Sequence, residues 1–212
     1  AAKMVSRPAA LSGGRGVRGG GGGGVAAESA MLGVPFAERG PMTDEHLRAM
    51  LELWTSPTPA FAGRYTRFDG LVFEPKPAQK PHPPIWVGGH SRAALRRTVE
   101  FGPASHPINR PPDELRAGVA ELARQSKARG RATPPALTLR NDVRIQKPGE
   151  RPPGSAHAGP VIARGAAALV EQVGELGGWG DGHLVLVFLA ADAHELDEQM
   201  TVFAERVRPR LR

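Results

Sequence analysis

Cysteine is absent from this 212-residue chain, which removes disulfides, thiolate metal sites and thiol nucleophiles together. That absence suits a reducing compartment, and a cytoplasmic location is the expectation. Aromatic residues are scarce, at 5% of the chain with a single tyrosine, so the core must be built mainly from aliphatic side chains. Long apolar runs are missing too. Nothing approaches the roughly 20 consecutive apolar residues that a membrane-crossing helix needs. The opening Ala1-Ala2-Lys3-Met4-Val5 is not followed by an apolar stretch, which argues against a secretory signal. The chain starts without an initiator methionine and inside a helix-like phrase, so a truncated or processed start is expected.

What the chain does have is glycine and proline, 27 and 21 residues respectively, with a net charge of +7. A basic balance raises the question of a polyanionic partner. Acidic residues alternate with the basic ones, however, and the arginines are spread over several segments. A solvated charged surface accounts for that pattern. Arg15 and Arg18 flank a glycine run without repeats or interleaved aromatics, so nucleic-acid binding is the weakest functional reading.

Gly19 to Gly24 are six consecutive glycines. Each costs roughly 1 kcal/mol relative to alanine in a regular element, and read from its residues alone the run is a flexible loop. From Met31 onward the pattern is globular. Thr43-Asp44-Glu45 predicts a capped helix with Leu47, Met50, Leu51 and Trp54 on one face, ending before Ser56-Pro57. A ribbon follows, carrying Tyr65, Phe68, Leu71 and Phe73 with its turn at Asp69-Gly70.

Five prolines between 75 and 84 then lead into a strand, Ile85-Trp86-Val87. Further helices are predicted over 91–100, over 113–129 with Leu115, Val119 and Leu122 inward, around Leu169 to Leu176, and over 193–207 with Leu196, Met200, Phe203 and Val207. Ala136 to Ile145 alternates as one strand, and 146–160 is a Pro/Gly-rich loop. His183 to Phe188 is apolar enough to be covered on both faces. Strands alternating with helices predict a parallel sheet with crossover helices.

Local structure and chemistry coincide at Gly88-Gly89-His90-Ser91-Arg92. A buried strand ends in two glycines, and a helix opens on a serine. The first N–H groups of a helix lack intrahelical partners and form a natural phosphate site. An ordinary tight strand-to-helix turn is the competing account, and Arg92 is equally readable as phosphate ligand or surface arginine. His90 and His106 are candidates for a site mouth, although lone loop histidines are more often polar surface. Asp142 ends a strand among polar neighbours, where an arginine contact is commoner than catalysis. Trp54 and Trp86 read as core and Trp179 as loop packing. The histidines, His46, His82, His157, His183 and His194 included, show no metal-ligand spacing.

Four ordered phrases resemble the bacterial luciferase-like monooxygenases, in particular the deazaflavin (coenzyme F-420)-dependent oxidoreductase branch. They are Leu11-Ser12-Gly13-Gly14-Arg15; Leu32 through Gly40; Pro83 through Gly89 with Ser91 and Ala94-Leu95; and Asp181 through Leu186. The resemblance implies an α/β fold of the (β/α)₈ TIM-barrel type, incomplete here, with the first three or so strands missing. It divides the chain into a glycine-rich degenerate barrel segment, 1–30, and a C-terminal barrel part, 31–212. It also implies that Gly88, Gly89, His90, Ser91 and Arg92 bind a cofactor phosphate or side chain. Gly19, Gly21 and Gly23 fall on a glycine-patterned strand end beside the cofactor ring, with Glu28 in the following helix.

Three features depart from the family pattern. Gly20, Gly22 and Gly24 stand where side chains are usual. Gly102-Pro103-Ala104-Ser105 replaces an acidic, aromatic phrase. The early strands that carry pocket residues are not in the chain.

The implied function is a flavin- or deazaflavin-dependent oxidoreductase or monooxygenase acting on a small organic substrate by hydride transfer or oxygen activation. Its cofactor would be coenzyme F-420 or, alternatively, FMN. A homo-oligomer is compatible with the family, a membrane partner is not, and no catalytic residue is assigned. The alternative is a non-catalytic remnant of the same barrel.

Overall fold

The computed structural model describes residues 1–147, 149–150, 154, 159–178 and 183–211. Trp179, His157 and the Asp181-Gly182 pair lie outside the described residues. Two compact units divide the chain, Ala1–Pro103 and Ala104–Arg212. Among the described residues no helix is long and apolar enough to cross a membrane.

The first unit runs α1 (Ala2–Leu11), β1 (Arg18–Gly20), α2 (Ala26–Met31), a 3-10 turn (Phe36–Glu38), α3 (Arg39–Thr55), β2 (Phe61–Ala62), β3 (Arg67–Phe68), β4 (Ile85–Gly88) and α4 (Arg92–Phe101). Its core gathers Leu47, Met50 and Trp54 of α3 against Phe73, Ile85, Val87 and Phe101. Trp54 is buried and its indole N–H donates to the Ala2 carbonyl at 3.2 Å, whereas Trp86 is only half-buried. Complete burial of an Ile or Val such as Ile85 or Val87 contributes about 1.5–3 kcal/mol each, and both are 1% exposed.

Three expectations for this unit are corrected. The glycine run is not wholly a loop: Arg18, Gly19 and Gly20 form a strand in parallel register with Ile85, Trp86 and Val87. Pairing uses backbone groups alone, so β4 holds a segment that its own side chains could not.

The helix begins at Arg39 rather than Thr43. Pro41 falls in its first turn, where a missing N–H goes unnoticed, and the Thr43 hydroxyl bonds back to the Arg39 carbonyl at 2.6 Å instead of capping.

The hairpin turns at Gly63–Thr66, not at Asp69-Gly70. A carboxylate from α3 fixes that turn. Glu45 accepts the N–H groups of Arg64, Tyr65 and Thr66 at 2.7–2.8 Å. Burial raises the Glu45 pKa, but these three donors outweigh it and leave the carboxyl below its usual value.

The second unit runs β5 (Ala104–His106), α5 (Pro112–Ala128), β6 (Ala136–Leu137), β7 (Leu139–Ile145), β8 (Ile162–Arg164), α6 (Ala166–Gly177), β9 (Leu184–Phe188) and α7 (Ala193–Val202). It closes with a π turn, Phe203–Val207, and a 3-10 turn, Arg208–Arg210. All its strand pairs are parallel: β5 with β6, and β7 between β8 and β9. Leu139, Val143 and Ile145 of β7 pack with Leu115, Leu169, Val173 and Leu176 from the helices.

Here the predicted strand 136–145 is two strands. At Thr138 the chain changes partners, with both its N–H and its hydroxyl donating to the Ser105 carbonyl. Val119, Leu196 and Met200 face outward, at 41%, 37% and 53% exposure. In α7 the inward position belongs to Gln199, which bonds the Ile145 N–H and the Leu189 carbonyl. Strand β9 is half-buried rather than covered on both faces, with Val185 at 36%.

Candidate functional site

The turn from β4 into α4 has the geometry its residues imply. Gly89 takes φ +98°, and a Cβ there would stand 3.2 Å from the Ala94 methyl, so side chains are disfavoured by conformation and by space. Ser91 is the N-cap, its hydroxyl accepting the Ala94 N–H at 3.2 Å. No acidic residue lies in the first turn of α4, so the positive end of the helix is not neutralised from within. His90, Ser91 and Arg92 are exposed.

Strand β1 runs directly beside this turn. A Cβ on Gly88 would lie 3.5 Å from the Gly20 carbonyl oxygen, and one on Gly21 3.8 Å from the Gly88 backbone. The two chain segments therefore approach as bare backbone. Gly19 pairs with Trp86 and shares its face. Space is open above both Gly19 and Gly23, the latter at φ +80°. A phosphate with a flat ring attached fits a cradle of this kind: exposed helix N–H groups, a cap hydroxyl, and neighbouring strands stripped of side chains. Glu28 lies in the following helix, α2, and is exposed.

The cradle is anchored from behind by Asp44. Its carboxylate pairs with Arg96 and takes Arg97 Nε at 2.6 Å, while Arg97 Nη2 reaches the Gly40 carbonyl at 3.1 Å. Arg97 is 6% exposed, and Arg48 adds a second tie to Glu100. Sequence reasoning placed Asp44 as a first-turn acid and gave Arg97 no role. The only available signal was an arginine on the apolar side of an amphipathic helix.

A second polar cluster lies within the second unit. Asp142 sits in the middle of β7 rather than at its end, 1% exposed. Asn109, at φ +49°, donates to the Asp142 carboxylate at 3.1 Å and accepts the Asp142 N–H at 2.8 Å. Arg140 Nη2 approaches the same carboxylate at 3.4 Å. Three buried polar atoms here, Arg140 Nη1, Ser105 Oγ and Asp142 Oδ1, make no hydrogen bond among the described residues.

His106, at the end of β5, contacts the Thr138 hydroxyl through Nδ1 at 2.8 Å. The same hydroxyl also lies within hydrogen-bond distance of the Ser105 carbonyl, at 3.1 Å. Burial first, then the charges of Arg140 and His183, hold the His106 pKa below its usual value. Of this cluster the sequence suggested His106 and Asp142; it missed Ser105, Asn109 and Arg140.

Parallel strands joined by helices, with a glycine turn and a serine-capped helix at the carboxyl end of β4, place the chain in the β/α class. The pattern of the luciferase-like monooxygenases matches residues 1–146, and the chain belongs to that family. It is 27% identical over 158 residues to an FMNH(2)-dependent dimethylsulfone monooxygenase of Pseudomonas putida, covering 72% of this chain and 44% of that protein. An uncharacterized protein of Mycobacterium bovis is 36% identical over 109 residues, 49% of this chain and 35% of its own length. The chain thus spans less than half the length of these relatives.

Among solved structures, an F420-dependent secondary alcohol dehydrogenase in complex with an F420-acetone adduct superposes with a TM-score of 0.80. The identity is 16%, over 100% of this chain and 74% of the other. The coenzyme F420-dependent tetrahydromethanopterin reductase of Methanopyrus kandleri gives 0.76 at 14% identity, over 100% and 78%. The fold is the luciferase-like (β/α)₈ barrel type, of which this chain represents a part.

Proposed function

We propose that this chain carries the cofactor-phosphate site of a luciferase-like oxidoreductase that uses FMN or coenzyme F-420 on a small organic substrate. The observation carrying the reading is the β4–α4 cradle, with Gly89 at φ +98° and Ser91 capping a helix free of first-turn acids. Gly88, Gly89, His90, Ser91 and Arg92 hold the phosphate or its side chain. Gly19, Gly21 and Gly23 let the ring lie against backbone. The bound cofactor supplies the redox chemistry, as hydride transfer or oxygen activation.

The protein binds, orients and shields.

Titrating the purified chain with FMN and with coenzyme F-420, followed by fluorescence, tests the reading. One of the two binds saturably, and Gly89→Val weakens that binding about tenfold or more. Absence of saturable binding to both overturns the proposal and leaves a non-catalytic remnant as the account.

A further inference from the structure

Strand β1 has a second face, and it lines a cavity. Gly20 pairs with Val87 and Arg18 with Ile85, and those two partners point into the core shared with α3. Where Val87 brings an isopropyl group, Gly20 brings none. A cavity of about 460 Å³ results, walled by Leu47, Met50 and Leu53 of α3, Phe68 of β3, and Ile85 and Val87 of β4. That is within the range of small-molecule sites.

Arg18 lines the cavity. The Arg18 guanidinium lies over Gly20, its Nε and Nη2 each 3.9 Å from where a Cβ would be. It makes no hydrogen bond or ion pair with any described residue. Neighbouring acids are engaged elsewhere: Asp44 with Arg96 and Arg97, Glu45 with the hairpin N–H groups. No aspartate or glutamate lines the cavity, whereas His46 does. A half-buried guanidinium with no carboxylate partner among the described residues, facing aliphatic walls, is complementary to an amphipathic anion.

We propose that this cavity binds a medium-chain aliphatic carboxylate, with the carboxylate on Arg18 and the chain against Leu47, Met50 and Val87. Arg18 and Gly20 share the face of β1 opposite Gly19, while Gly21, just past the strand, borders both this cavity and the surface assigned to the cofactor ring. Fatty-acid binding here does not depend on the flavin reading.

Isothermal titration of the full chain with sodium octanoate tests it. Octanoate binds saturably at one site, and affinity rises about fourfold for each methylene added from hexanoate to octanoate. Arg18→Gln weakens binding at least tenfold, Arg18→Lys by no more than about threefold, and Gly20→Leu abolishes it by filling the space. Excess inorganic phosphate does not compete. No saturable binding, equal binding of octylammonium, or octanoate affinity unchanged in both Arg18→Gln and Gly20→Leu overturns the proposal. Each such result leaves the fluorescence titration with FMN or coenzyme F-420 unaffected, so the two readings fail separately.

Discussion

Replacing Gly20 by alanine should stabilise the first unit, at a position where the family pattern usually carries a side chain. Three facts set the sign. Gly20 lies in a strand and outside the left-handed region. A Cβ there meets only the Arg18 guanidinium, at an ordinary 3.9 Å. The face it would occupy opens on a cavity of about 460 Å³.

Removing glycine from the end of a strand gains up to about 0.5–1 kcal/mol, largely through the unfolded chain. A partly buried methyl adds up to about half of the roughly 0.8 kcal/mol of a buried methylene. The sum is about 1 kcal/mol, or roughly 4–8 °C in melting temperature for a unit of this size.

Gly63→Ala is the counter-experiment. A Cβ at 63 overlaps the Glu45 carboxylate, and moving that carboxylate forfeits its three backbone donors, for a loss of about 1–3 kcal/mol. Urea denaturation followed by tryptophan fluorescence reads both variants. If Gly20→Ala lowers the midpoint, or Gly63→Ala leaves it unmoved, the reasoning from space and backbone conformation is wrong.

Asp44→Ala leaves the buried Arg97 guanidinium without its carboxylate and should cost about 3 kcal/mol in urea denaturation. The double variant with Arg97→Met should recover part of that loss. Glu195 is held at a pKa of about 2, first by the Arg144 guanidinium and then by the Ala191 N–H, and Glu150 is lowered by the Lys147 N–H and Arg144. Their folded pKa values lie below the unfolded ones, so their stabilisation is complete above about pH 4.5 and is lost as pH falls towards 2. Glu195→Gln should flatten the urea midpoint over that interval. His106 also titrates below its unfolded value of about 6.5, so its contribution is present above that pH and lost as pH falls through and below it. Its ring resonances in NMR should titrate at lower pH than those of a free imidazole, and His106→Phe should remove this part of the acid sensitivity.

The β4–α4 turn was legible because every determinant is local. An apolar strand, a glycine forced to positive φ and a serine cap fall within eight residues, Ile85 to Arg92. The elements misread depend on partners far away in the chain. Strand β1 exists through β4, beginning with the Arg18 N–H on the Pro84 carbonyl, and glycine propensity says nothing of that. The hairpin is placed by Glu45, some twenty residues upstream, rather than by the Asp69-Gly70 signal. Asp142 owes its buried position to Asn109, 33 residues away, and Arg97 its burial to Asp44. Val119 and Met200 kept helical spacing yet face outward, because periodicity marks a stripe without marking its edges.

The tie between Asp44 and Arg97 has an architectural consequence. Helix α3 grips the helix that opens on Ser91 directly, through side chains, and not through the thirty or so residues that connect α3 to β4. Chain length in that connection is therefore uncoupled from the position of the Ser91 cap. The exposed stretch around Leu71 and Val72 becomes a natural place to graft a foreign loop, or for relatives to differ in length, with the Ser91 turn left in register.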